Sequence, residues 1–195
     1  MNAKEVFLIV TFLAFGALLN FGYPVVAQAY AIPVSIEFVI IAYCLAVMLV
    51  VPLRMGEVVG IGILAGVINI LSDVTHLTTI LCMHAQKPVL FMALFNLVSE
   101  PVGITVCFLA FLFLAARVRV AAPFAAAFLA TLASGGAYLA LVFLFNPDLI
   151  ASQPGFTDAF LFRVAAAAVV NAVVVQVIFM VAEKPVKAYL TGPGE

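Results

Sequence analysis

The chain has 195 residues, 67% of them hydrophobic and 9% charged, with a formal net charge of −1. Soluble domains carry roughly 45–50% apolar and about 25% charged residues, and one of this size buries only about 70% of the surface its unfolded chain exposes. The apolar excess must face lipid, the near-neutral balance leaves no electrostatic footprint for nucleic acid, and the hydrophobicity excludes a disordered chain.

A spanning helix needs about 20 mostly apolar residues. Six such runs are predicted, over 6–27, 36–51, 57–74, 88–116, 122–145 and 158–182. Pro24 ends or bends the first, and Pro52 stops the second. Pro88 suits the first turn of the fourth. The fifth stops before Asn146-Pro147 and the sixth before Pro185. The expected fold is all-α, an integral membrane bundle of six transmembrane helices forming one domain over 1–195. A strand barrel does not fit, because runs such as 164–175 are apolar without alternation. No cleavable signal peptide is expected, since the first run is long and lacks a small-residue cleavage pattern. Cys44 and Cys107 sit inside apolar runs and Cys82 has no evident mate, so all three read as inert small residues and not as disulfide partners.

With the N-terminus inside, Lys4, Arg54, Arg117, Arg119, Lys184 and Lys187 fall at inner ends, and Lys87 and Arg163 at outer ends. That satisfies the positive-inside rule. Both termini are therefore expected in the cytoplasm, with the chain in the plasma membrane. The inner connections, 52–56 and 117–121, are short. The outer ones, 24–35, 75–87 and 146–157, are longer and form a candidate binding face. Small residues that let helices approach recur at Gly56, Gly60, Gly62 and Gly66, at Ala122, Ala126, Ala130 and Ser134, at Ala14, Gly16 and Ala17, and over 165–168.

Ionisable groups in hydrocarbon are costly, which makes each one a functional candidate. Asn69, Asp73 and His76 are spaced i, i+4, i+7 and share one face of the third helix. Asn96 and Glu100 repeat the i, i+4 spacing on the fourth, with Ser99 beside them and Pro101 next, freeing the Leu97 carbonyl. The sixth carries Arg163, then Asn171 deeper on a similar face, then Gln176. Glu37 begins the second helix, and Asn20 lies in the outer half of the first. Apart from Gln176 the inner half is apolar, as an outward pocket needs and a polar-lined pore does not. Asp73 and Arg163 could instead neutralise each other, and the asparagines could be interhelical hydrogen-bond partners.

Asp73, His76, Cys82, Met83 and His84 lack the dense spacing of a metal site, so no metal or other cofactor is expected. No Walker A loop, Rossmann fingerprint or Gly-x-Ser-x-Gly occurs. The chain is not expected to be an enzyme, and energy for uphill transport would come from elsewhere.

The stretch from Ile32-Pro33 to Glu37-Phe38, the run from Gly60 through Gly62, Gly66 and Asn69 to Asp73, and the last helix ending Glu183-Lys184-Pro185-Val186-Lys187 resemble the substrate-binding S component of energy-coupling-factor (ECF) transporters. The resemblance covers nearly the whole chain. It implies capture of a vitamin-like micronutrient from outside, then toppling when docked on a transmembrane coupling protein and two ATPase subunits. It would place the pocket among Tyr30, Glu37, Asn69, Asp73, His76, Asn96, Glu100, Arg163 and Asn171. Arg163 would meet an anionic group, and Asp73 or Glu100 a cationic or donating one. The chain departs from the family in lacking Ala-x-x-x-Ala in its first helix and tryptophan throughout, so Tyr23, Tyr30, Tyr43 and Tyr138 would supply any stacking. Asn2 argues against the nickel and cobalt branch. A small ion-coupled carrier or channel, an MreD-like membrane scaffold and a membrane-embedded enzyme remain alternatives.

Overall fold

The computed structural model describes residues 1–29, 36–50, 53–81, 88–152 and 154–192, with side chains described except at 24–29, 75–81, 88–90 and 149. Among them lie eight helices: α1 (Ala3–Ala29), α2 (Phe38–Leu49), α3 (Met55–Leu81), α4 (Pro88–Ala93), α5 (Asn96–Ala115), α6 (Ala122–Phe145), α7 (Pro147–Ser152) and α8 (Phe156–Thr191). Five apolar stretches are long enough to cross a bilayer: Ala3–Tyr23, Met55–Val74, Phe91–Ala115, Ala122–Phe145 and Phe156–Thr191. The chain is a helical, multi-pass membrane bundle.

Local sequence chemistry sets several boundaries. Asn2 and Glu5 cap α1 reciprocally: Glu5 N–H donates to Asn2 Oδ1 at 2.9 Å, and Asn2 N–H to Glu5 Oε2 at 2.7 Å. This is a capping box with asparagine in the serine position. Glu57 serves α3 in the same way, accepting the Arg54 N–H at 2.7 Å.

Four boundaries differ from the sequence expectation. Helix α1 passes Pro24, as the expected 6–27 span does, and reaches Ala29. Helix α3 continues beyond Val74 to Leu81, so part of the expected outer loop is helical. Helix α8 carries Pro185 in its interior and reaches Thr191. There the Lys187 ammonium lies 2.6 Å from Glu183 one turn back, an i, i+4 pair that supports the last turns. The fourth run is broken. Between α4 and α5 the backbone tightens into three-residue turns, with the N–H groups of Leu94, Phe95, Leu97 and Val98 donating to Phe91, Met92, Leu94 and Phe95. The break lies just before the turn that Pro101 already weakens.

Helix α2 is the hub. It touches α1, α3, α5, α6 and α8, and every residue from Val39 to Val50 is buried. At about 1.5 Å per residue its 12 residues span roughly 18 Å, short of the hydrocarbon thickness. The surrounding helices pack in the order α1–α3–α5–α6–α8.

Small residues decide how closely they approach. A Cβ on Gly66 would fall 2.5 Å from the Asn96 carbonyl oxygen, and one on Gly62 2.7 Å from Pro101 Cα, so this pair holds α3 against α5. Gly56 and Gly60 meet nothing within 4 Å. Of the two Gly-x-x-x-Gly pairs, only 62/66 packs within the chain. Ala122, Ala126, Ala130 and Ser134 are all buried along α6, and a Cβ on Gly103 of α5 would meet Ser134 Cβ at 2.8 Å.

One end of the bundle gathers Met1, the last turns of α8 and several basic residues. Met1 N lies 3.0 Å from Glu57, Lys4 Nζ sits over the Tyr189 ring, and Arg119 pairs with Glu183 at 2.9 Å. Gln176, the lone polar residue expected in the inner half, is structural: it accepts from Phe124 N–H at 3.0 Å and donates to the Val120 carbonyl at 2.9 Å, fastening the α5–α6 connection onto α8.

Candidate functional site

Antiparallel packing of α3 on α5 converts two sequence stripes into a ladder. One turn up α3 matches one turn down α5, so Asn69 meets Glu100 and Asp73 meets Asn96. Asn69 Nδ2 donates to Glu100 Oε1 at 2.8 Å, and Asn96 Nδ2 to Asp73 Oδ2 at 3.0 Å. Helix α1 joins through Asn20, whose Nδ2 donates to Asn69 Oδ1 at 3.2 Å and whose carbonyl accepts from Ser72 Oγ at 3.4 Å. Asn69 thus links three helices and uses both ends of its amide. It lies about 21 Å along α3 from Met55, and Glu100 about 22 Å along α5 from Ala115, at 1.5 Å per residue. The network therefore sits beyond the middle of the bundle, away from the basic end.

Glu100 is 3% exposed and Tyr43, from the hub helix, 0%. The Tyr43 hydroxyl stands over Gly103, where a Cβ would come within 2.5 Å of it. Tyr43 and Ser134 flank the Glu100 carboxyl. Yet Glu100 Oε2, Tyr43 Oη and Ser99 Oγ are buried without a hydrogen-bond partner among the described residues. Buried polar atoms in native proteins are nearly always paired, and the Tyr43 and Ser134 hydroxyls stand where a small adjustment lets them donate to the Glu100 carboxyl.

Toward the surface the carboxyls multiply. Glu37, half-buried before the first turn of α2, is within electrostatic reach of both Asp73 and Glu100. Asp73 itself is exposed and in reach of Tyr138. Aromatic rings stand on either side of these acids. Tyr23 meets Phe38 edge-on at 5.4 Å. Phe95, next to Asn96, meets Tyr138 edge-on at 5.8 Å, and Tyr138 stacks on Phe160 at 5.9 Å.

The structure brings Glu37, Asn69, Asp73, Asn96 and Glu100 together. Asn171 is fully buried but placed otherwise: its Oδ1 accepts the Glu37 N–H at 3.2 Å, and its Nδ2 donates to Thr131 Oγ1 at 3.3 Å. It ties α2 and α6 to α8 and makes no hydrogen bond to the Asn69–Glu100 network. Arg163 is exposed on α8, and the ion pairs among the described residues do not include it. The alternative reading, an Asp73–Arg163 ion pair, is not among the ion pairs of the described residues. Tyr30 lies outside the described residues, as do Cys82, Met83 and His84. His76 continues α3, but its side chain also lies outside them.

Asn20, Tyr43 and Ser134 were not among the expected site residues. Asn20 had a legible signal, an amide in an apolar run. Tyr43 entered only as one of four possible stacking rings, since a tyrosine within FVIIAYCLAVML otherwise reads as core. Ser134 was legible only as a member of a small-residue stripe.

At the opposite, basic end a cleft of about 500 Å³ is lined by Met48, Leu49, Phe111, Phe179, Arg119, Glu183 and Lys187. Its acidic group, Glu183, is already bonded to both basic ones. Compared with known proteins, the chain matches no protein-family model, no curated protein and no solved structure.

Proposed function

We propose that this chain is the membrane-embedded substrate-capture subunit of an ECF-type uptake transporter, taking a small micronutrient such as a vitamin into a pocket that opens on the extracellular face. The observation that carries the reading is the Asn20–Asn69–Glu100 network, held among three helices beyond the bundle's midpoint and ending in a buried carboxyl. Polar residues inside a membrane are expensive and persist where they act. The helix break between α4 and α5 beside this network has the form of the discontinuous helices that transporters place at their binding sites.

In this reading both termini and the basic end face the cytoplasm, as the positive-inside rule asks. The inner half then offers no polar path. Gln176 is fully engaged by backbone groups, which weighs against a channel or ion-coupled carrier. Without an ATP-binding motif of its own, the subunit would draw its energy from two ATPase subunits through a transmembrane coupling protein.

The test is purification of tagged chain from native membranes in mild detergent, with mass spectrometry of what accompanies it. Recovery of an ATPase pair with a second multi-span protein is the expected result. Recovery of cell-shape or division proteins instead would overturn the reading in favour of an MreD-like scaffold. A chain that purifies alone and transports in liposomes under an ion gradient would overturn it in favour of a carrier.

A further inference from the structure

The cleft at the basic end is built from two matching stripes. On α8, Phe179, Glu183 and Lys187 follow at i, i+4 and i+8 and share a face. On α5, Phe111 and Ala115 keep the same spacing, and Arg119 lies four residues further, in the turn after the helix. The two phenylalanine rings meet edge-on, 5.7 Å apart. Further along, Arg119 meets Glu183 at 2.9 Å. The lining residue of α5 between these two contacts is Ala115, with only a methyl group to fill the space. Helix α2 does not fill it either. It stops at Leu49, and its last residues, Met48 and Leu49, border the cleft. The result is about 500 Å³ of space, within the roughly 300–1,000 Å³ of small-molecule sites.

The cleft changes character along its length, from Phe111 and Phe179 to Arg119 and Lys187. Phe179 and Lys187 are about 12 Å apart along α8, at 1.5 Å per residue. Ala115 closes the stretch of α5 that is apolar and long enough to cross a bilayer. The aromatic part therefore lies at acyl-chain depth and Arg119 at headgroup depth. Basic pockets between membrane helices bind anionic lipid headgroups. The two cations also have donors to spare. Among the described residues their hydrogen bonds go to Glu183 Oε1 alone, at 2.9 and 2.6 Å, whereas a guanidinium has five N–H donors and an ammonium three. Arg119 is 75% exposed and Lys187 57%, so the unused donors are open to a ligand that can bridge them. A helix from a partner protein fits less well. At 10–12 Å across, about one turn of it would seat in this volume.

We propose that this cleft holds an anionic phospholipid, with one acyl chain against Phe111 and Phe179 and its phosphate between Arg119 and Lys187. The site is separate from the Asn69–Glu100 network and independent of the substrate-capture reading.

The test uses the full chain, delipidated in a non-ionic detergent. Melting is followed with a thiol-reactive fluorogenic dye, which reports Cys44 and Cys107, both buried in the fold, as they emerge. The probes are phosphatidylglycerol and phosphatidylcholine with the same acyl chains, and glycerol phosphate, which has the headgroup chemistry without the chains. A saturable rise in Tm is expected for phosphatidylglycerol, with phosphatidylcholine about tenfold weaker or more and glycerol phosphate without effect. The double variant R119Q/K187Q should weaken the phosphatidylglycerol response about tenfold or more, the size expected for two basic residues at an anionic headgroup. It should fold, since both amides can still donate to Glu183. A115L should abolish the response by filling the cleft, with the lipid-free Tm unchanged or raised, which separates a blocked site from a misfolded chain. R54Q removes a positive charge of the same end outside the cleft and should leave the response unchanged. Equal stabilisation by both phospholipids, or a phosphatidylglycerol response that survives A115L, overturns the assignment in favour of a non-specific lipid shell. An unchanged response in R119Q/K187Q overturns it as well. A response to glycerol phosphate equal to that of the phospholipid overturns it in favour of a surface anion site.

Discussion

Gly66 and Gly60 make the same sequence pattern and should answer the same substitution with opposite signs. In G66A the new methyl group would sit 2.5 Å from the Asn96 carbonyl oxygen and 3.1 Å from Leu97 Cα. Both obstacles are backbone, so no side chain can swing away and α3 must move off α5. Overpacking of this kind costs about 1–3 kcal/mol. The same displacement stretches the Asn69–Glu100 and Asn96–Asp73 bonds, each worth about 0.6–1.7 kcal/mol in membrane proteins. The total loss is about 2–6 kcal/mol. In G60A the methyl group meets nothing within 4 Å. There the helix gains up to about 1 kcal/mol of intrinsic propensity, so stability is unchanged or raised. Reversible unfolding in mixed micelles, titrated with a denaturing detergent, measures both variants on one scale. G62A, facing Pro101, should fall with G66A. Equal stability of G60A and G66A would refute the α3–α5 packing and with it the ladder that defines the site.

Other outcomes can be checked alongside. N69L removes the donor to Glu100 and the acceptor from Asn20, leaving two buried groups unpaired, and should cost about 1–3 kcal/mol. The double variant N69L/E100L should recover part of that loss, since deleting both partners removes the penalty; a fully additive loss would show that the two side chains do not meet. Q176L frees the Val120 carbonyl and the Phe124 N–H, and should lower stability by about 1–2 kcal/mol without altering solute binding. Single cysteines at Arg117 and Lys184 should be labelled by membrane-impermeant thiol reagents only in inside-out vesicles, and one at Asp148 only in right-side-out ones; the reverse pattern would invert the proposed orientation.

How far the sequence could be read depends on which interaction was at stake. The helices were legible because lipid demands long apolar runs, and the stripes Asn69/Asp73 and Asn96/Glu100 because a helix repeats every three to four residues. Their pairing was not, because nothing in a stripe says which helix faces it or in which register. Gly62 and Gly66 looked no different from Gly56 and Gly60, since close approach is a property of the neighbour. The surroundings of Arg163, exposed on α8, were illegible for the same reason: a cation and an anion at similar depth need not share a face. Pro185 marked a helix end in the sequence but lies inside α8 in the structure. The break that does form, at Leu94–Phe95, has no proline of its own.

The buried hub also constrains the order in which the molecule is made. Helix α2 is too short to match a bilayer, so on leaving the insertion machinery it is stranded in hydrocarbon until neighbours surround it. The backbone N–H of Glu37, at its entrance, finds its acceptor on Asn171, 134 residues later in α8. The centre of the bundle therefore waits on the C-terminal quarter of the chain. Ribosome-bound intermediates lacking α8 would hold α2 in a half-assembled ring, open to proteolysis and quality control. The ring around α2 would close only with the arrival of α8.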